Sequence, residues 1–217
     1  MNFYEWKQRI EIIAHRIREI GGDVQEIRME EPASEEQVAE IERTLGFPLP
    51  TSFKKTLVEF SSSFSFRWFV PDDFELPGKF RGIFGGTPHW GLNLIQEFDG
   101  ERKGWAENVF TNREDEYDAV WHNKLAFLAV GNGDYIAFDL NGNDDPPVVY
   151  LSHDDGEGHG YIIGENFRDF MDKWSRIAFV GAEDWQWIPF TMNINSGIVP
   201  DGEAANEFRS IMKLDRL

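Results

Sequence analysis

Leu125–Phe167 reads LAFLAVGNGDYIAFDLNGNDDPPVVYLSHDDGEGHGYIIGENF, and its punctuation decides the fold. Three short apolar runs, Leu125–Val130, Tyr135–Leu140 and Val148–Leu151, are separated by residues that turns favour. Asn132-Gly133 predicts a two-residue type I′ turn, because both central positions of that turn need positive φ. The stretch NGNDDPP, 141–147, predicts a second and wider hairpin. The product is a three-stranded antiparallel meander with Tyr135–Leu140 as its inner strand. Ala137 and Phe138 sit within an apolar run, so little of that strand should face water.

Charge along the same stretch is one-sided. The 43 residues between Lys124 and Arg168 contain no Lys or Arg and eight carboxylates: Asp134, Asp139, Asp144, Asp145, Asp154, Asp155, Glu157 and Glu165. A surface kept merely soluble normally intersperses both signs. The turn residues Asp144, Asp145, Asp154, Asp155 and Glu157 are therefore the candidate partner-binding residues, forming an acidic rim on the meander.

Composition bounds the rest. A chain of 217 residues, 41% hydrophobic and 15% aromatic, can bury a full core, and one domain with an appendage is expected. Its 21 basic and 39 acidic residues give −18, which works against binding nucleic-acid phosphates or an anionic membrane face. The same charge suits solubility or a basic protein partner. Zero cysteines exclude disulfides and thiolate metal sites and agree with a cytoplasmic location. The N-terminal stretch is broken by charges throughout, unlike a secretory signal, and no run of some eighteen apolar residues marks a membrane span.

Phe3, Trp6, Ile10, Ile13, Ile17 and Ile20 recur at 3, 4, 3, 4, 3 and predict a helix that Gly21-Gly22 stops. Fewer than three heptads is short for a coiled-coil seam, so the helix is expected to dock on the core. Ser34 with Gln37 forms a capping-box pattern for a second helix, whose stripe is Val38, Ile41 and Leu45 and whose end is Gly46. Phe47-Pro48-Leu49-Pro50 is an extended linker. Thr51 or Ser52 is expected to cap a third helix carrying Phe53, Leu57 and Phe60.

These residues carry a resemblance. A capped acidic helix ending in LGFPLP (45–50), then a helix with Phe53, Leu57 and Phe60, resembles the opening of the SUKH superfamily, which includes bacterial immunity proteins and the fungal Smi/Knr regulators of cell-wall synthesis. FLAVGNGDYIAFD (127–139) is similar to its second signature, and VYLSHDD (149–155) with the helix after Asn166 matches the expected continuation. The resemblance covers about Ser34 to Trp174. It implies an α+β fold with helices around a central, mostly antiparallel sheet, and for bacterial members toxin binding without a catalytic constellation.

Outside the signatures, Ser63 to Val70 alternates and predicts one strand with Phe64, Phe66, Trp68 and Val70 inward and Phe69 at an edge. Phe80–Phe84 reads as a further strand and Gly85-Gly86-Thr87-Pro88 as a loop. One or two short helices are expected between Leu92 and Trp121. Asn166 and Asp169 cap a helix bearing Phe167, Phe170, Met171, Trp174 and Ile177. Residues 1–180 are read as the SUKH-like domain with its docked N-terminal helix. Residues 181–217 are read as an irregular C-terminal extension that ends in a helix with Phe208 and Ile211. Its Trp185, Trp187 and Phe190 are either anchored in surface grooves or exposed for a partner.

Several patterns imitate chemistry. Asp139, Asn141, Asn143 and Asp145 alternate as in a calcium loop, but Asp144 stands where the tight turn needs Gly and Tyr150 where a bidentate Glu belongs. The loop from His153 to His159 offers two imidazoles and three carboxylates, yet one glycine-rich loop rarely fixes three ligands in tetrahedral order. Acidic pairs are abundant, as a glycosidase needs, but abundance is not a sugar cleft. There is no phosphate-binding loop, nucleophile elbow or dinucleotide fingerprint. The expectation is a non-catalytic binding protein without metal or cofactor, an immunity protein that neutralises a basic, nuclease-like toxin. The alternative is a carbohydrate-related or cell-wall-synthesis regulator, which the eight tryptophans also suit.

Overall fold

Helix α1 (Phe3–Glu19) opens the computed structural model, which describes residues 3–140 and 142–217. Met1 and Asn2, the first residues of the domain read over 1–180, and Asn141, shared by the second expected turn and the calcium-like alternation, lie outside the described residues. The apolar face of α1 docks as expected, burying Trp6, Ile10, Ile13 and Ile17. Gly21 at φ +81° ends it, and β1 (Asp23–Val24) and β2 (Arg28–Met29) follow.

Helix α2 (Glu35–Leu45) has the full capping box: Ser34 Oγ accepts from Gln37 N, and Gln37 Oε1 accepts from Ser34 N. Gly46 closes it in the left-handed region. Only Val38 of the expected stripe is fully buried; Ile41 and Leu45 are half-covered. Helix α3 (Thr51–Glu59) corrects the expected local cap. Pro50 occupies the cap position and offers no side-chain oxygen. Asp145 instead reaches across the fold to accept from Ser52 N at 2.9 Å and Ser52 Oγ at 2.7 Å.

The single strand expected over Ser63–Val70 is two, β3 (Ser63–Ser65) and β4 (Trp68–Phe69), because each half pairs with different neighbours. One three-stranded sheet runs β2-β3-β6 and another β1-β4-β5. Phe69 therefore lies on a central strand rather than an edge. Phe80–Phe84 is not a strand: residues 78–80 form a 3₁₀ turn that buries Phe80 against Phe190 and Phe208. The expected loop holds β5 (Gly85–Gly86), followed by β6 (His89–Gly91). Gly86 is required there, since a Cβ would stand 2.4 Å from both Phe179 O and Trp68 Nε1. Where one or two short helices are expected stand two, the 14-residue α4 (Ile95–Asn108) and the short α5 (Glu116–Val120), the latter capped by Asp115.

The meander forms as β7 (Lys124–Ala129), β8 (Tyr135–Asp139) and β9 (Val148–Leu151), and β10 (Ile162–Gly164), not expected from sequence, adds a fourth strand. The order β10-β9-β8-β7 is antiparallel throughout and puts β8 inside. Its hairpin turn differs from the two-residue one expected. Val130 N bonds Asp134 O and Gly133 N bonds Val130 O, which makes a three-residue loop in which Gly133 alone has positive φ, +100°. Asn132 spends its side chain on the loop, accepting from Asp134 N.

Both faces of this sheet are covered, which explains its continuous apolar runs. Leu125, Phe127, Ile136, Phe138, Val148 and Tyr150 face the main core; Ala126, Tyr135, Ala137, Val149 and Leu151 face a second cluster with Phe98, Phe110 and Trp121. Helix α6 (Phe167–Arg176) is capped by Asn166 and buries Phe167, Phe170, Met171 and Trp174. The aromatic run after Gly181 is more regular than expected, containing α7 (Asp184–Trp187) and a 3₁₀ turn at 188–190, and α8 (Glu203–Met212) follows. Trp187, Phe190, Phe208 and Leu214 join the same core as Trp6, while Trp185 stays half-exposed. Helices packed on antiparallel sheets make this an α+β fold.

Candidate functional site

Strand β9 divides the five candidate carboxylates. Asp144 and Asp145 precede it; Asp154, Asp155 and Glu157 follow it, so the strand's four residues, about 13 Å, separate the groups. The first group is partly spent on structure. Asp145 is the α3 cap, and the Asp144 carbonyl accepts from Thr51 N at 2.9 Å, leaving the Asp144 carboxylate exposed. Asp154, Asp155 and Glu157 are all exposed.

The loop that carries the second group, between β9 and β10, is held by side chains. A strand's backbone donors are normally satisfied by a ladder. Here Ser152 N donates to His159 Nδ1 (3.0 Å), His153 N to Asp134 Oδ1 (2.9 Å) and Asp155 N to the Tyr117 hydroxyl (3.0 Å). Gly156 N donates to Ser152 Oγ (2.9 Å) and Gly158 N to Asp184 Oδ2 (2.7 Å). The glycines let backbone and acceptor meet: a Cβ on Gly156 would stand 2.6 Å from Ser152 Oγ, and one on Gly158 2.5 Å from Asp184 Cβ. Asp155 itself has φ +62°, a conformation Asp tolerates better than most residues.

Asp134, from the hairpin turn and 1% exposed, is the hub. Its Oδ1 accepts from His153 N and Nδ1, and its Oδ2 from the Tyr150 hydroxyl (2.6 Å) and Asn132 Nδ2 (2.7 Å). Burial first, then the Asp134 charge, raises the Tyr150 pKa, so the phenol remains a donor. Burial raises the Asp184 carboxyl against the pull of its backbone donors, and Asp134 and Asp154 add to the rise. Burial lowers the His159 imidazole.

Ligand atoms of Asp134, His153 and Asp154 lie within 4.8 Å of one another. Asp134 already has four donors, and Asp154 takes the Ser152 hydroxyl, so a cation here would compete with a satisfied network. His153 and His159 turn to different partners and do not converge. Of the calcium-like set, Asp139 pairs with Lys124 at 2.8 Å and Asp145 is the cap.

Helix α5 enlarges the acidic surface. Tyr117 stacks on His159 with ring centres 3.7 Å apart, and its hydroxyl donates to Ser152 O at 2.6 Å. This clamps the exposed Glu114, Asp115 and Glu116 beside the loop. Segments 112–118 and 152–159 together carry seven carboxylates and one cation, Arg113. Sequence reading missed the α5 half. The run REDEYD was visible, but Arg113 and Lys124 bracket it, and only the tertiary contact of Tyr117 joins it to the loop. No described helix is long and apolar enough to cross a membrane.

No curated protein matches this chain. Residues 32–173, from just before the α2 capping box to the penultimate turn of α6, match the SMI1 / KNR4 family (SUKH-1), and the chain belongs to that family.

Proposed function

We propose that this chain is a stoichiometric binding protein that neutralises a basic protein, a toxin domain whose own target is nucleic acid, and that it turns over no substrate. The observation that carries this reading is the side-chain-braced loop of Asp154, Asp155 and Glu157 lying against the acidic α5. A surface that grips phosphate presents clustered Lys and Arg, and a fixed cluster of carboxylates is complementary to it. With a net charge of −18, the whole molecule attracts such a partner from a distance. Rigid bracing supports the reading too, because a preorganised loop loses little conformational freedom on binding. Family membership is compatible with this role and with cell-wall regulation alike.

The test is inhibition. The products of the neighbouring genes are screened for a basic domain that co-purifies with the protein, and its nuclease activity is assayed while the protein is titrated in. Loss of activity with an endpoint at one equivalent supports the reading; full activity at excess protein, with no complex by gel filtration, overturns it.

A second reading, carbohydrate-linked regulation, draws on one feature. Phe84 and Trp185 are each nearly half exposed, and exposed aromatic rings are the groups that sugar rings stack on. Binding of cell-wall oligosaccharides that is lost in Trp185→Ala would favour it over the first.

A further inference from the structure

His159 bridges the root of the acidic loop and helix α5. Its Nδ1 accepts from Ser152 N at 3.0 Å, and its Nε2 lies 3.0 Å from Tyr117 O, which can only accept. These partners require one tautomer, with the proton on Nε2 and a lone pair on Nδ1. A second proton on Nδ1 would set two donors, N–H against N–H, across that 3.0 Å gap. Ser152 is the first residue of the loop and the root of its bracing, since its Oγ accepts from Gly156 N and its carbonyl from the Tyr117 hydroxyl. Losing the His159 bond therefore leaves the Ser152 amide without its acceptor at the root of the loop. His153 has no such role: its Nδ1 donates to Asp134 Oδ1 (2.7 Å) whether the ring is neutral or charged.

We infer that His159 is a proton-sensitive latch: the loop bearing Asp154, Asp155 and Glu157 is closed while the imidazole is neutral and opens when it is protonated. The groups acting on the ring come from every side. Tyr117 stacks on it from α5 and Trp121 lies 6.3 Å away. Asp134 and Asp155 favour its protonation, Lys124 opposes it, and desolvation outweighs them all, so the closed form resists the proton. The sign follows from linkage. The closed loop binds fewer protons than the open loop below the ring's free pKa of about 6.5, so closure is complete above that value and weakens as pH falls beneath it, by up to about tenfold per pH unit. Release of a bound partner at acid pH would follow if the loop is its binding surface, a consequence that rests on the function proposed above; the latch itself does not.

The experiment uses the full chain alone. Amide exchange at Ser152, corrected for the intrinsic pH dependence of exchange, and the ring ¹⁵N shifts of His159 are followed by NMR from pH 7.5 to 5. The expected result is protection at Ser152 that falls by about tenfold or more across this range, in step with His159 titrating below 6.5. In His159→Gln, which keeps one acceptor and one donor but cannot be charged, protection should stay level. Should that variant not fold, the wild-type titration still decides. A His159 that becomes charged while Ser152 protection is unchanged overturns the latch, as does an equal loss of protection in wild type and His159→Gln. None of these outcomes bears on whether a basic partner binds.

Discussion

Asp145→Ala should uncap a helix 93 residues away in sequence. In the fold, Asp145 Oδ1 takes both Ser52 N and Ser52 Oγ, and no residue of the Pro50 start of α3 replaces it. Loss of an N-terminal cap costs about 0.5–2 kcal/mol, and loss of a carboxylate from the positive end of the helix dipole costs about 0.3–1 kcal/mol. The two overlap, so about 1–2 kcal/mol is expected, with Thr51 N still held by the Asp144 carbonyl. For a domain of this size each kcal/mol lowers the melting temperature by about 2–4 °C, giving a fall of about 2–8 °C by calorimetry. Asp145→Asn should retain most of the stability, because Asn caps as well as Asp. A melting point for Asp145→Ala within about 1 °C of wild type would refute the capping role. An Asn variant as unstable as the Ala variant would refute the hydrogen bond as its basis and leave only the charge.

Gly158→Ala forces a methyl to within 2.5 Å of Asp184 Cβ and 2.8 Å of the Trp187 ring, and should cost about 1–3 kcal/mol in chemical denaturation. Asp134→Asn puts an amide donor against the Tyr150 hydroxyl or the His153 donors, and should cost about 1–3 kcal/mol for the group left unsatisfied, read in the same assay. His89 and His159 are both held below 6.5 by burial, so the folded state binds fewer protons than the unfolded one between the lowered values and 6.5. The melting temperature should therefore fall as pH drops from 7 to 5, and replacing both by Gln should remove most of that fall.

What sequence could and could not give follows the reach of each signal. Ser34 with Gln37 and Asn166 with Asp169 are bonds made within one turn, so both caps were legible residue by residue. The inner position of Tyr135–Leu140 was legible because a strand buried on both faces must be apolar throughout. The turn beside it was placed but mistyped, since the side chain of Asn132 bonds within the loop and leaves positive φ to Gly133 alone. Gly85-Gly86 reads as a loop in any window; it is a strand because Trp68 and Phe179 crowd a site only glycine can occupy. The α3 cap and the union of α5 with the acidic loop are likewise tertiary. They divide one expected rim into a structural residue, Asp145, and a surface built from two distant segments.

That surface is tested most directly by binding kinetics with a basic protein that co-purifies with the chain. The variant to compare carries Asp154→Asn, Asp155→Asn, Glu157→Gln and Glu116→Gln, all at exposed positions. Stopped-flow association is measured at low salt and at about 0.5 M, where the screening length is only a few ångströms. The expected result is association about tenfold or more slower in the variant at low salt, converging with wild type at high salt, while dissociation changes little. Equal association rates for variant and wild type at low salt would contradict the assignment of this face as the binding surface.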